Sequence, residues 1–299
     1  MAYIAFRISV LLVAGSVCTV HPTAWAHAED SATCRLVSLP SGHVRKVLDG
    51  RTLRLEDGRE VRLAAIEVPP QDTPRGREAY LFLQELLSGE TVSLKSTAAV
   101  PTDRYGRVVA HVFMTDEGLE RSLQDAMLES GLARVAARVG AYGCATAFWA
   151  REQNARTARR GLWADPEVTQ TTGNPLALQA RRGQFAVVEG KVLSVRESGG
   201  TIYVNFGRRW SEDFTVTIAK RNARMFSAAG LDPQRLASRR LRVRGIIERR
   251  GGPNGAPWIE AMRPEQIEVL GYEWETTWPD SGKARVQTGV SDSLTDAVE

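Results

Sequence analysis

Between His43 and Ile66, apolar and polar residues interleave with the short period of β-strands. The stretches HVRKVLDG, RTLRLEDG and REVRLAAI are punctuated by Asp-Gly pairs at 49–50 and 57–58, which favour tight hairpin turns. A meander is expected. RGREAYLFLQELLSG then shifts to helical spacing, with Ala79, Phe82, Leu83, Leu86 and Leu87 on one face and Gly89 as the stop. TVSLKST and RVVAHVFM return to strands. LERSLQDAMLESGLARV predicts a second helix ending near Gly131, and ATAFWAREQNARTARRGLW a third with arginines on its outer face. Strands, helix, strands and helices over 34–164 predict a mainly β domain, a small barrel carrying helices.

Residues 165–182 break the pattern. Asp165, Pro166, a Thr/Gln/Gly/Asn run and Pro175 read as a linker. Strand patterns resume in QFAVVEGKVLSV, TIYVNFG and DFTVTI. A short helix, KRNARMFSAAG, follows, and RRLRVRGIIERR and APWIEAM close the series. Three strands, a helix and two strands is the order of a five-stranded OB-like barrel, expected over 183–272. From 273 to 299 the chain is polar and aperiodic, which predicts a disordered tail.

The chain has 299 residues, 43% of them hydrophobic and 25% charged, enough to fill two cores and too apolar for global disorder. A net charge of +4 permits a polyanionic partner without pointing to one. The N-terminus changes the picture more. FRISVLLVAGSVCTV is apolar but shorter than a comfortable membrane span, and AWA at 24–26 offers the small residues a signal peptidase reads. A signal peptide over 1–26, cleaved after Ala26, predicts a periplasmic or secreted protein with no membrane span. Val17 is too large to precede a lipidated Cys18. Cleavage leaves Cys34 and Cys144. In an oxidising compartment two cysteines point to one disulfide, the alternative being two buried free thiols.

The candidate chemistry lies between 47 and 107. Arg62 sits on a strand, Arg107 follows the turn DRYGR, and Asp49 and Glu67 end strands of the meander. Guanidinium forks hold phosphate oxygens at two points and stabilise the charge that builds in phosphodiester chemistry. Acids beside them could hold a divalent cation or polarise a water. Each arginine taken alone is more often a surface charge or a salt-bridge partner.

From about 43 to 163 the chain resembles the thermonuclease, or staphylococcal nuclease-like, family. The stretches that carry the resemblance are VLDGRT, VRLAAIEVP, GREA, TDRYGR, LESGLARV and GLW. The resemblance implies an OB-type five-stranded barrel with three helices, and calcium-dependent cleavage of DNA and RNA. It places the phosphate-clamping arginines on Arg62 and Arg107, and the nucleotide-contacting residues on Arg104 and Tyr105. Calcium-binding acids fall on Asp49 and Glu67. Two positions depart from the pattern: the direct calcium-binding aspartate falls on Arg51 and the water-positioning glutamate on Pro70, with Val68 replacing a threonine. A cation in place of a ligand acid repels calcium by several kcal/mol even at an effective dielectric of about 20. These departures predict loss of calcium, with the Arg51 guanidinium paired to Asp49 and Glu67 in its stead. Asp72, two residues past Pro70, is the acid best placed to compensate. Otherwise it is a solvated loop acid, and Glu78 a helix-start charge.

Other candidates are plainer. His43 and His111 lack a second ligand at metal spacing. Arg240, Arg242 and Arg244 alternate with Leu241 and Val243 and could track a phosphate backbone, while Tyr203, Phe206, Trp210 and Phe214 could stack on bases. The alternative makes these aromatics core and these arginines solubilising. The reading that results is a degenerate nuclease that binds nucleic acid or a phosphate-bearing ligand without cutting it. An active metal-dependent phosphodiesterase with an altered site is the alternative, and an envelope protein-interaction module the third.

Overall fold

The first strand, β1 (Val37–Asp49), is long enough to serve two neighbours. Its second half pairs antiparallel with β2 (Thr52–Leu55), and its first half with β5 (Thr91–Ser96). The computed structural model describes residues 34–97, 101–116, 118–249 and 255–271. The expected signal peptide and tail lie outside these residues, as does residue 272, where the second barrel was expected to end. β2 pairs with β3 (Glu60–Leu63), and β5 with β6 (Val108–Asp116). A parallel pairing of β3 with β6 closes the ring, giving a five-stranded barrel. Leu53, Leu55, Val61, Leu63, Val92 and Leu94 fill it and are almost wholly buried. The buried Gln124 stitches the seam: its amide oxygen accepts from the Val112 N–H of β6, and its amide nitrogen donates to the Ala110 carbonyl of β6 at 3.0 Å and, across the seam, to the Ala64 carbonyl just past β3 at 3.4 Å.

Short β4 (Ile66–Glu67) leads to α1 (Pro74–Leu87), capped by Thr73, whose side chain accepts the Gly76 N–H. Ala79, Leu83 and Leu87 of the expected face are buried, and Phe82 and Leu86 are half-buried. The second expected helix is shorter than its pattern. LERS forms β7 (Leu119–Ser122) against β6, and α2 (Leu123–Glu129) begins only where the Ser122 side chain accepts the Asp125 N–H. β8 (Arg134–Val135) pairs with β4, and α3 (Tyr142–Thr157) follows. Cys144 lies in the first turn of α3, not before it, and is bonded to Cys34. Gly131 and Gly161 explain two of the quoted stretches. A Cβ on Gly131 would lie 2.2 Å from the Arg160 carbonyl oxygen, and one on Gly161 2.5 Å from that of Gly131, so the chains meet backbone to backbone.

The stretch 165–182 is not a linker in structure. It holds β9 (Thr169–Thr171), which pairs parallel with β10 (Phe185–Lys191), and α4 (Pro175–Ala180), whose Leu178 is fully buried. Beyond it come β11 (Ser194–Ser198), β12 (Thr201–Asn205), β13 (Thr215–Ala219) and α5 (Ala223–Ala228). β14 (Arg240–Ile246), β15 (Glu248–Arg249), β16 (Pro257–Glu260) and β17 (Ile267–Leu270) complete the order. They form a four-stranded sheet, β17-β14-β10-β9, and a five-stranded one, β11-β12-β13-β16-β15. Ile202, Val204, Phe214, Val216, Phe226 and Val243 lie in their shared core. Among the described residues no helix is long and apolar enough to cross a membrane.

The two halves meet through charge. Glu152 of α3 is 1% exposed and takes Arg244 at 2.8 Å, Arg156 at 3.1 Å and the Val135 N–H at 2.6 Å. Glu268 pairs with both Arg242 and Arg244, and Glu189 with Arg242 and Arg156. Arg242 and Arg244, two of the three arginines expected along an outer basic face, therefore point inward. Arg242 and Arg244 are 7% and 0% exposed, so they are neither a phosphate track nor a solubilising fringe. Arg156 of α3, also expected outward, packs on Trp163 with its guanidinium 3.9 Å from the ring centre.

Burial pushes the Glu152 carboxyl up, but Arg244, Arg156 and the Val135 N–H outweigh it and hold the group at about 2. His111, stacked on Phe148 with ring centres 5.7 Å apart, is pulled down by burial to about 4. Both native-state values are depressed, so both contribute stability at neutral pH. The His111 contribution is lost as pH falls from 6.5 to about 4, and the Glu152 contribution as it falls from 4.5 to about 2. Thermal melting against pH should therefore fall in two stages, with His111→Phe removing the upper one. Glu152→Gln should cost about 3–5 kcal/mol, because it removes the buried carboxylate that Arg244 and Arg156 share and leaves Arg244 with Glu268 alone; urea denaturation measures this.

Candidate functional site

Two turns and the barrel seam assemble the candidate residues. At the end of β1, Asp49 Oδ1 accepts the Arg51 backbone N–H at 2.8 Å. This fixes the turn into β2. From that turn the Arg51 guanidinium reaches Glu67 Oε2 at 2.5 Å and the Ile66 carbonyl at 3.4 Å. Glu67 is aimed by a reversal at Ala65, which takes a left-handed φ of 65°, and by pairing of β4 with β8, where Glu67 stands opposite Arg134.

Arg62 lies on β3, in register with Thr52 of β2 and Val109 of β6. Its neighbours Val61 and Leu63 point into the core, so Arg62 projects from the outer face of the barrel. It is half-buried, and among the described residues its guanidinium has neither an ion-pair nor a hydrogen-bond partner. Burial and then the nearby Arg51 lower its proton affinity; Glu67 opposes this, Arg107 adds to it, and Asp49 also opposes. Arg51, Arg62, Arg107, Asp49 and Glu67 thus act on one another across one site.

Asp103 organises the turn that delivers Arg107. Its Oδ1 accepts the N–H groups of Tyr105 and Arg107, and its Oδ2 accepts from Arg107 Nε at 2.8 Å. Tyr105 is 66% exposed, with the guanidiniums of Arg104 and Arg107 lying 4.7 and 5.1 Å from its ring centre. The barrel, its seam and this turn together fix the relation to known proteins. Residues 60–165 match the staphylococcal nuclease homologue family. The match covers about a third of the 299 residues. No curated protein matches the chain.

The nuclease-homologue span begins at Glu60, after the turn with Asp49 and Arg51, yet the barrel brings that turn against Glu67 inside the span. Three arginines face three acids, so the formal charges of the site balance, but the direct pairs do not: Arg51 is paired with Glu67, Arg107 with Asp103, and Asp49 takes the Arg51 backbone N–H, which leaves Arg62 without a direct partner among the described residues. Asp49 holds Arg51 through its backbone N–H, whereas the guanidinium was expected to pair with Asp49 as well as Glu67. Pro70 turns its carbonyl to Thr73, accepting both the N–H at 3.0 Å and the hydroxyl at 2.6 Å. A Cβ on Gly76 would lie 1.9 Å from that carbonyl, so the loop lies flat on the start of α1. Asp72 is exposed, and the acids acting most strongly on Arg62 are Glu67 and Asp49 instead. Glu78 pairs with Arg75 at 2.9 Å.

These residues do not fit a calcium site. Calcium requires six to eight hard oxygen ligands. Here one of the two acids is occupied by a guanidinium, and among the described residues no three His, Cys, Asp or Glu side chains are grouped to hold a metal. What the arrangement can do is receive an anion. Sequence reasoning passed over Asp103 and Arg134. Asp103 was visible as an Asx residue opening a turn; Arg134 is placed by pairing of β8 with β4, which no local pattern reveals.

An unpaired, half-buried cation beside two others is a stability cost held for another purpose. Arg62→Met, which keeps the apolar stem and removes the charge, should leave stability unchanged or raise it by up to about 1 kcal/mol. Chemical denaturation would contradict this reading if the variant lost more than about 1 kcal/mol.

Proposed function

We propose that this protein is an exported, thermonuclease-derived binding protein whose barrel site takes phosphodiester or phosphate groups of a nucleic acid without hydrolysing them. The observation that carries the reading is the Arg62 guanidinium, unpartnered among the described residues and flanked by Arg51 and Arg107. A phosphate oxygen there would supply the direct partner that Arg62 lacks, with Arg107 as second contact and Tyr105 and Arg104 beside it. The nuclease-homologue match over 60–165 supports nucleic acid as the ligand class. Arg51 on Glu67 and a side chain without an acceptor at Pro70 argue against calcium-dependent water attack.

Export is part of the proposal. It rests on the apolar N-terminal run with its AWA stretch, and the Cys34–Cys144 bond suits an oxidising compartment. A second OB-like barrel is also part of the proposal: a helix, α5, stands between two groups of strands, β10 to β13 and β14 to β17, packed around one core, which supports it although each group holds more strands than expected.

Fluorescence anisotropy with a labelled single-stranded oligonucleotide should show salt-dependent binding that a chelator does not change. Arg62→Met should weaken it about 10-fold or more, the scale of a charge-assisted hydrogen bond. Cleavage of single-stranded DNA with added calcium should be undetectable. Calcium-dependent cleavage that a chelator abolishes would overturn the reading in favour of an active nuclease. The paired change Arg51→Asp with Pro70→Glu is expected to introduce calcium binding, read by calorimetry.

A further inference from the structure

The aromatic residues of the C-terminal half fall into two groups. Phe214 is fully buried and Phe206 leans on it, ring centres 5.3 Å apart; both are core. Tyr203 and Trp210 instead line a surface recess of about 480 Å³ together with Leu193, Arg196, Asn205 and Arg208. Its floor is the outer face of β11 and β12. Ile202 and Val204 point into the core, so Tyr203 and Asn205 point out. Register places Arg196 directly across from Tyr203, and Ser194 across from Asn205, close enough for side chains to act as pairs. β11 is the edge strand of its sheet.

The loop that carries Trp210 is held in place. Asp213 Oδ2 accepts the Arg209 N–H at 2.7 Å, and the N–H groups of Glu212 and Asp213 return to the Arg209 carbonyl. Trp210 is nonetheless 71% exposed and Leu193 47%. Among the described residues no acidic side chain lines the recess. Among the described residues the guanidiniums of Arg196 and Arg208 have no ion-pair partner, while nearby Arg209 is paired with Glu212 and Glu197 with Lys220. An exposed indole face, unneutralised arginines and short hydroxyl and amide side chains are what an unpaired base and its phosphates require.

We propose that this recess is a binding site for single-stranded nucleic acid, with a base stacked on Trp210 and the backbone held by Arg196 and Arg208. The proposal does not rest on the barrel reading, since it uses none of the same residues. The recess volume is in the range of small-ligand sites, enough for a nucleotide rather than a duplex.

The test is anisotropy of labelled single-stranded oligothymidine titrated with the full chain. Trp210→Ala should weaken binding about 10-fold or more, and Trp210→Phe should restore most of it, because a stacking face is kept. Replacing Arg196 and Arg208 together by alanine should weaken binding and flatten the dependence of log affinity on log salt by about 1.4. Melting temperatures should be unchanged, as these side chains are exposed. Arg62→Met is run beside them. Loss confined to Arg62→Met overturns this proposal and leaves the barrel reading standing; loss confined to the Trp210 and arginine variants does the reverse. Trp210-dependent binding of a neutral oligosaccharide, with none to oligothymidine, also overturns it.

Discussion

The parallel pairing of β3 with β6 is the constraint on which the candidate site depends. Without it the first five strands would be an open meander, with Arg62 at one edge and the Arg107 turn at the other. Closure sets Arg62 opposite Val109 and brings both arginines to one side of the barrel. Parallel neighbours need a long crossover, and here α1 and β5 lie within it. The seam is short, and Gln124 supplies hydrogen bonds to backbone groups that strand pairing leaves over. A site built on that seam is only as firm as the helix that carries Gln124.

Arginine does three jobs in this molecule, and the partner decides which. Arg51, on Glu67, closes a pocket that its acids could otherwise offer to a cation. Arg242 and Arg244, ringed by Glu152, Glu189 and Glu268, join the halves. Arg62, Arg196 and Arg208 have no partner among the described residues and are available to an anion. The mild net charge of the chain hides this, because it does not distinguish arginines held in internal ion pairs from those left open.

What could be read from the sequence was what is local. The meander and α1 follow from periods and turns within about ten residues, whereas in the C-terminal half β9 and β17 and the split of one expected strand into β10 and β11 did not show in the pattern. The length of α2 could not be read, because pairing with β6 claims LERS as strand and only the Ser122 cap marks the switch. The fate of Arg242 and Arg244 could not be read either. Their alternation with apolar residues suits a solvent face, and the acids that bury them lie 24 to 92 residues away. At the barrel site the residue identities were legible and the geometry half so. The Arg51–Glu67 contact follows from the charge exchange, whereas the isolation of Arg62 depends on which acids the other arginines take first.

The Glu152 cluster also decides how this molecule can be divided. Glu152 belongs by sequence to the nuclease-homologue span, and its partner Arg244 to the strands that follow. A fragment cut after the family match would keep the acid on α3 and lose that arginine, together with Arg242. Recombination that moved this barrel onto another chain would meet the same obstacle. The boundary that a family match draws at residue 165 is a boundary of resemblance, and the unit that inheritance must carry whole is longer.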